Sequence, residues 1–169
     1  MNNFVSRLFT PAKQSYFLFG PRGTGKSTWL RHHYLDAHYI DLLNPGELRL
    51  YQAKPERLEE IVHASLSKTI IIDEIQKTPE LLSVVHRLIE QNHGWQFILT
   101  GSSARKLKRA GVDLLAGRAA MRHFHPFMAA ELGANFSLEN SLNYGLVPLI
   151  IESEDIADRP FNHEVQQWL

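Results

Sequence analysis

Apolar residues along this chain gather into short unbroken runs, and between the runs they recur at helical spacing. Tyr16-Phe17-Leu18-Phe19 is apolar at every position, the pattern of a buried strand. His38-Tyr39-Ile40-Asp41-Leu42 is a second strand, closed by a turn signal at Asn44-Pro45-Gly46. A helical stretch follows and breaks at Pro55, which suits the first turn of a new helix carrying Leu58, Ile61, Val62 and Leu66 on one face. Thr69 to Glu74 holds three consecutive isoleucines, β-branched and apolar on both faces, as a central strand of a parallel sheet requires. Pro79 opens a helix whose stripe is Leu81, Leu82, Val85, Leu88 and Ile89, ended at Asn92-His93-Gly94. Gln96 to Thr100 is the fourth strand. Gly101-Ser102-Ser103 then caps a short basic helix through Arg109, and Leu114 to Arg118 leads into a fifth strand around Ala120 to Phe124.

Strands alternating with helices predict an α/β doubly wound sheet. Ligands of such sheets sit beyond the carboxyl ends of the strands, where Gly20, Asp73 and Thr100 would converge. The leader from Phe4 to Phe9, ended by Pro11, alternates loosely; near a bound base is one place for it, and a short helix over a sheet edge is the plainer expectation. From Pro126 the pattern changes to short helices at Phe127 to Leu132 and Phe136 to Leu142. An acidic stretch (Glu152, Glu154, Asp155) and a fragment ending at Trp168-Leu169 follow.

One loop gives this arrangement its chemistry. Gly20-Pro21-Arg22-Gly23-Thr24-Gly25-Lys26-Ser27, followed by Thr28, fits the phosphate-binding pattern G-x-x-x-x-G-K-[ST], with a strand before it and a helix after it. Its backbone amides and the helix N-terminus together surround an anion. The glycines let the backbone approach phosphate without a Cβ in the way. Lys26 supplies a compact cation for the β- and γ-phosphates, and Ser27 a hydroxyl for Mg²⁺. Thr28 reaches the α-phosphate or simply continues the helix. Residues 1–126 are therefore expected to form the nucleotide-binding domain. Residues 127–169 are too short for a core of their own and are expected to be the beginning of something cut off from a longer protein.

Asp73-Glu74 is the acidic pair such a site needs. Asp73 would hold Mg²⁺ through water, and Glu74 would orient or deprotonate the attacking water. Neighbouring strand residues face opposite ways, so the two can divide these tasks only if the strand ends there. Thr100 and Ser102 suit contact with the γ-phosphate or the lytic water and equally suit capping of the next helix. Arg118 suits a finger acting on a neighbour's nucleotide or a surface ion pair. The run Arg105, Lys106, Lys108, Arg109 reads as a solvated helix face, with phosphate or single-stranded nucleic acid as the alternative. His123 and His125 alternate along a strand; no third metal ligand accompanies them, so ordinary packing is expected.

Composition narrows the picture. Lys+Arg and Asp+Glu balance at 18 each among 169 residues, so bulk charge points to neither nucleic acid nor an anionic membrane. Cysteine is absent, which removes disulfides and thiolate chemistry. With no signal-like leader and no apolar run of membrane length, a cytoplasmic protein is expected.

The segments GPRGTGKSTWL, IIDEIQKTPELL, FILTGSSARKL and LLAGRAAMRHFHPFMAAEL, in this order, resemble the AAA-like ATPases of bacteria and archaea, over roughly Arg7 to Leu149. Those proteins carry an AAA-type domain and usually a C-terminal domain of uncharacterised function; by this resemblance residues 127–169 are a partial helical lid, truncated. The resemblance implies a P-loop three-layer αβα sandwich with parallel strand order 5-1-4-3-2. It makes Gly20 to Thr28 the Walker A loop, Ile70 to Glu74 the Walker B strand, Thr100 to Ser103 the sensor 1 region and Arg118 a finger. The implied activity is Mg²⁺-dependent ATP hydrolysis used as a switch or to drive a partner, with a homo-oligomer or a protein partner left open. A module that holds nucleotide without hydrolysing it is the alternative. A small-molecule phosphotransferase is a third reading, against which Glu74 stands.

Overall fold

The computed structural model describes residues 5–109 and 115–151. Five parallel strands form one sheet: β1 (Tyr16–Phe19), β2 (His38–Asp41), β3 (Thr69–Asp73), β4 (Gln96–Gly101) and β5 (Ala120–His123). Their order is β2-β3-β4-β1-β5, the implied order counted from the other edge. Register is continuous, with Tyr16 opposite both Ile98 and Ala120, and Ile72 opposite both Ile40 and Leu99.

Side-chain alternation sorts the strands onto two faces. Phe17, Phe19, Ile70, Ile72, Phe97 and Leu99 enter one core with α2 (Pro45–Ala53), α3 (Arg57–Ala64), α4 (Leu81–Glu90) and α5 (Ala104–Arg109). Tyr16, Leu18, Ile71 and Ile98 enter a smaller core on the other face, roofed by Trp29 and Leu30 of α1 (Lys26–His33), Phe124 and the leader. Beyond β5 come α6 (Ala129–Leu132), α7 (Leu138–Tyr144) and α8 (Pro148–Ile151). Among the described residues no helix is long and apolar enough to cross a membrane.

Three local expectations change. The leader is not helical: its backbone groups pair sideways with other elements. Leu8 N donates to Glu131, and Gln96 Nε2 donates to the carbonyls of Ala12, Lys13 and Gln14, which replaces the helical ladder. Phe9 fills the second core edge-on to Trp29 and Phe124, at 4.9 and 5.2 Å between ring centroids. Asn44-Pro45-Gly46 starts a helix rather than closing a turn, because Asn44 Oδ1 accepts from Gly46 N at 2.8 Å and Pro45 sits at the first helical position. Leu66 lies past the end of α3 and is fully exposed. Ser65 and Ser67 hydroxyls there bond to nearby backbone and compete with helix continuation. Phe4, Leu114, the acidic stretch at 152–155 and Trp168-Leu169 lie outside the described residues, as do the side chains of the basic run beyond Arg105.

Candidate functional site

β1 ends at Phe19, and the chain then threads a narrow gap. Gly20 N donates to Gly101 O at 3.3 Å on the β4 side, while on the β5 side a Cβ at Gly20 would fall 2.1 Å from the Phe124 carbonyl oxygen. Only glycine passes there. Gly23 and Gly25 both adopt positive φ, 75° and 85°, and Gly25 is the residue from which α1 starts. The first intrahelical bond runs from Trp29 N to Gly25 O at 2.8 Å, so the amides of Lys26, Ser27 and Thr28 precede it.

Lys26 is buried, its Nζ donating to Gly20 O at 2.7 Å and Pro21 O at 2.9 Å. Burial draws its pKa below the ordinary lysine value; the nearby Glu74 and Asp73 carboxylates oppose that shift and Arg22 adds to it. Thr24, wholly buried, donates its hydroxyl to Pro21 O at 2.9 Å and holds the loop's tip.

β3 ends at Asp73, and Glu74 turns into the left-handed region at φ 62°, so the strand's alternation stops at the acidic pair. That conformation costs a non-glycine residue about 1–2 kcal/mol. Glu74 N donates to Thr100 Oγ1 at 3.0 Å, and Thr100 Oγ1 donates to Asp73 Oδ1. The Thr100 hydroxyl thus fixes both acidic residues from the end of the next strand. Gln76 Nε2 donates to the Glu74 carboxylate. Ser102 Oγ is buried and has no hydrogen-bond partner among the described residues.

Tyr39, in β2, was not marked by its sequence. Its hydroxyl donates to Asp73 Oδ2 and interacts with Ser27, and Arg31 lies over its ring, 3.7 Å from the centroid. Burial, then the Asp73 charge, hold the phenol well above its usual pKa, so it stays a donor. Ser27, Asp73 and Tyr39 make an all-oxygen group, the donor chemistry that a hard divalent cation takes.

Arg22, Gly23, Gly25, Lys26, Ser27, Thr28 and Glu74 line one cleft of about 510 Å³, closed by Arg7, Trp29, Phe127 and Pro148. That volume falls within the range of small-molecule sites, about 300–1,000 Å³. Asp73 and Thr100 stand behind the cleft wall. Arg118 is elsewhere: β5 starts opposite Tyr16, so Arg118 lies at the end where the strands begin, while the loop leaves where β1 ends. Its guanidinium donates to Glu90 Oε1 at 2.6 Å. The exposed rings of His123 and His125 are 6.3 Å apart, and among the described residues no group of three His, Asp or Glu side chains gathers that could hold a metal.

A family model described as AAA domain matches residues 12–133, well over half of the chain. The chain belongs to that family. As an AAA domain it is a nucleotide-binding, ATPase-like P-loop protein. No curated protein matches it.

Proposed function

We propose that this AAA domain binds ATP with Mg²⁺ and hydrolyses it to ADP and phosphate, as a switch or to drive a partner. The observation that supports this most is one cleft holding the glycine loop, Lys26 and Glu74 together, with Asp73 directly behind. Main-chain amides at the start of α1 and the Lys26 ammonium bind the triphosphate, for which Lys26 exchanges its bonds to Gly20 O and Pro21 O. Ser27 and Asp73 would hold the cation, while Thr100 and Tyr39 keep the Asp73 carboxylate in place. Mg²⁺, when bound, neutralises charge on the β- and γ-phosphates. Glu74 takes a proton from the water that attacks the γ-phosphorus; the bond from that phosphorus to the β–γ bridging oxygen breaks, ADP leaves, and the γ-phosphoryl group with the water oxygen becomes inorganic phosphate. Ser102, with its unpaired hydroxyl at the end of β4, is assigned to the γ-phosphate or the lytic water. Residues 127–151 act as a partial lid.

Phosphate release by purified protein tests this against two variants. Lys26→Ala loses nucleotide binding. Glu74→Gln binds nucleotide and turns over at least about tenfold more slowly, as loss of a general base requires. Equal turnover in all three proteins removes the claim. One contact favours the second reading, nucleotide binding without hydrolysis: Gln76 engages the Glu74 carboxylate. Tight binding with no phosphate release at any protein concentration selects it.

A further inference from the structure

We propose that Arg7 is a positioning residue for the phosphate loop, and that through it nucleotide binding is coupled to the segment from His125 to Pro148. This rests on the nucleotide-binding reading above. Arg7 stands outside the loop motif, in the leader, yet its guanidinium is spent on three parts of the molecule. Nη1 donates to Thr24 O at 2.9 Å, in the loop. Nη2 donates to His125 O at 2.5 Å and Pro126 O at 3.2 Å, where β5 gives way to the C-terminal segment. Nε donates to Glu131 Oε1 at 3.2 Å, in α6. The guanidinium also lies over the rings of Phe124 and Phe127, 4.3 and 4.6 Å from their centroids.

The loop contact is the one with consequence. Thr24 sits between two glycines at positive φ, so the peptide joining Thr24 to Gly25 is flanked by backbone with unusual rotational freedom. A trans peptide is planar, with its C=O and N–H pointing in opposite directions. By binding the Thr24 carbonyl, Arg7 aims the Gly25 N–H the other way, and that amide belongs to the anion nest just ahead of Lys26. The Glu131 carboxylate completes the link. It also accepts from Leu8 N at 2.6 Å and Met128 N at 2.9 Å, so the leader and the start of α6 share one anion.

The Arg7 and Glu131 side chains are 7% and 2% exposed. A buried pair this dry is costly to break from one side, so the two residues act as a unit. Lysine cannot replace arginine, since one ammonium cannot span the loop, the segment after β5 and α6, or stack flat on two rings. If the nucleotide favours the loop conformation that Arg7 holds, the C-terminal segment favours nucleotide in return.

The test uses the whole 169-residue chain, a non-hydrolysable ATP analogue with Mg²⁺, calorimetry, and amide hydrogen exchange over residues 126–148. In the unaltered protein the analogue slows exchange in that segment. Arg7→Lys binds the analogue about tenfold more weakly, within the usual range of such couplings, and the analogue no longer slows that exchange. Glu131→Gln keeps the shape, shifts both readouts the same way, and stands in if Arg7→Lys does not fold. Unchanged affinity in the folded variants overturns the proposal while leaving nucleotide binding intact. So does weaker binding with the nucleotide-dependent protection preserved. If the unaltered protein does not bind the analogue, the nucleotide-binding reading falls and the proposal falls with it.

Discussion

At Asp73 both carboxylate oxygens accept hydrogen bonds from the protein's own side chains: Thr100 donates to one and Tyr39 to the other. Asp73 is only 3% exposed, so water cannot readily take the place of either donor. Tyr39→Phe should therefore destabilise the nucleotide-free protein by about 1–3 kcal/mol, the cost of stripping one partner from a buried charge. Mg²⁺ with nucleotide should narrow the gap, because a cation held by Ser27 and Asp73 would offset the lost donor's stabilisation of the carboxylate. Melting temperatures of both proteins, with and without Mg²⁺ and nucleotide, measure it, and an equal gap in both conditions counts against Ser27 and Asp73 as the cation site. The glycine loop and the Asp73-Glu74 pair were legible in the sequence because their spacing is fixed along the chain. Tyr39, Arg7, Gln76 and Glu131 were not, because their roles exist only once strands and leader are brought together. For Tyr39 a signal was present after the fact: a polar-tipped aromatic in the strand that pairs with Asp73's strand.

The elements themselves were mostly foreseeable, since the central strands β1, β3 and β4 are apolar runs that a parallel sheet buries on both sides, while the edge strands β2 and β5 are only partly covered. What failed lay where side chains bonded to backbone locally, as at Asn44 and Ser65, or across the fold, as in the leader. Glu74's left-handed turn instead meets the condition the acidic pair needed, since Thr100 on the neighbouring strand holds the backbone where β3 stops. Two glycines at strand ends separate backbone tightness from side-chain tightness. Gly20→Ala drives a methyl group into the Phe124 carbonyl, which belongs to the backbone and cannot swing away. It should cost about 1–3 kcal/mol or more and lower the melting temperature by several degrees. Gly101→Ala meets the Gln76 amide oxygen at 2.8 Å, the movable end of a side chain. It should cost clearly less and should disturb the Gln76 contact with Glu74. Thermal unfolding of the two variants ranks them; a Gly101→Ala loss as large as that of Gly20→Ala would contradict this account.

Across the molecule, the strand direction sets which contacts one chain can make for itself. β1 alone spans roughly 13 Å at the usual rise per residue, and Arg118 and the loop lie at its opposite ends. Arg118 can therefore reach only the nucleotide of another copy. Its bond to the exposed Glu90 is weak enough to exchange for a phosphate. Mixing Lys26→Ala with Arg118→Ala, each inactive alone, should restore part of the turnover, since each supplies what the other lacks. No recovery in the mixture, or full activity of Arg118→Ala alone, removes the finger.

The leader gives the working unit a different edge from the recognisable one. The match to the family model starts at residue 12, yet the guanidinium that steadies the loop and the phenyl ring that wedges beneath Trp29 both arrive earlier, at Arg7 and Phe9. A shortened chain cut at the point of kinship would keep every strand and still lose its grip on the Thr24 peptide.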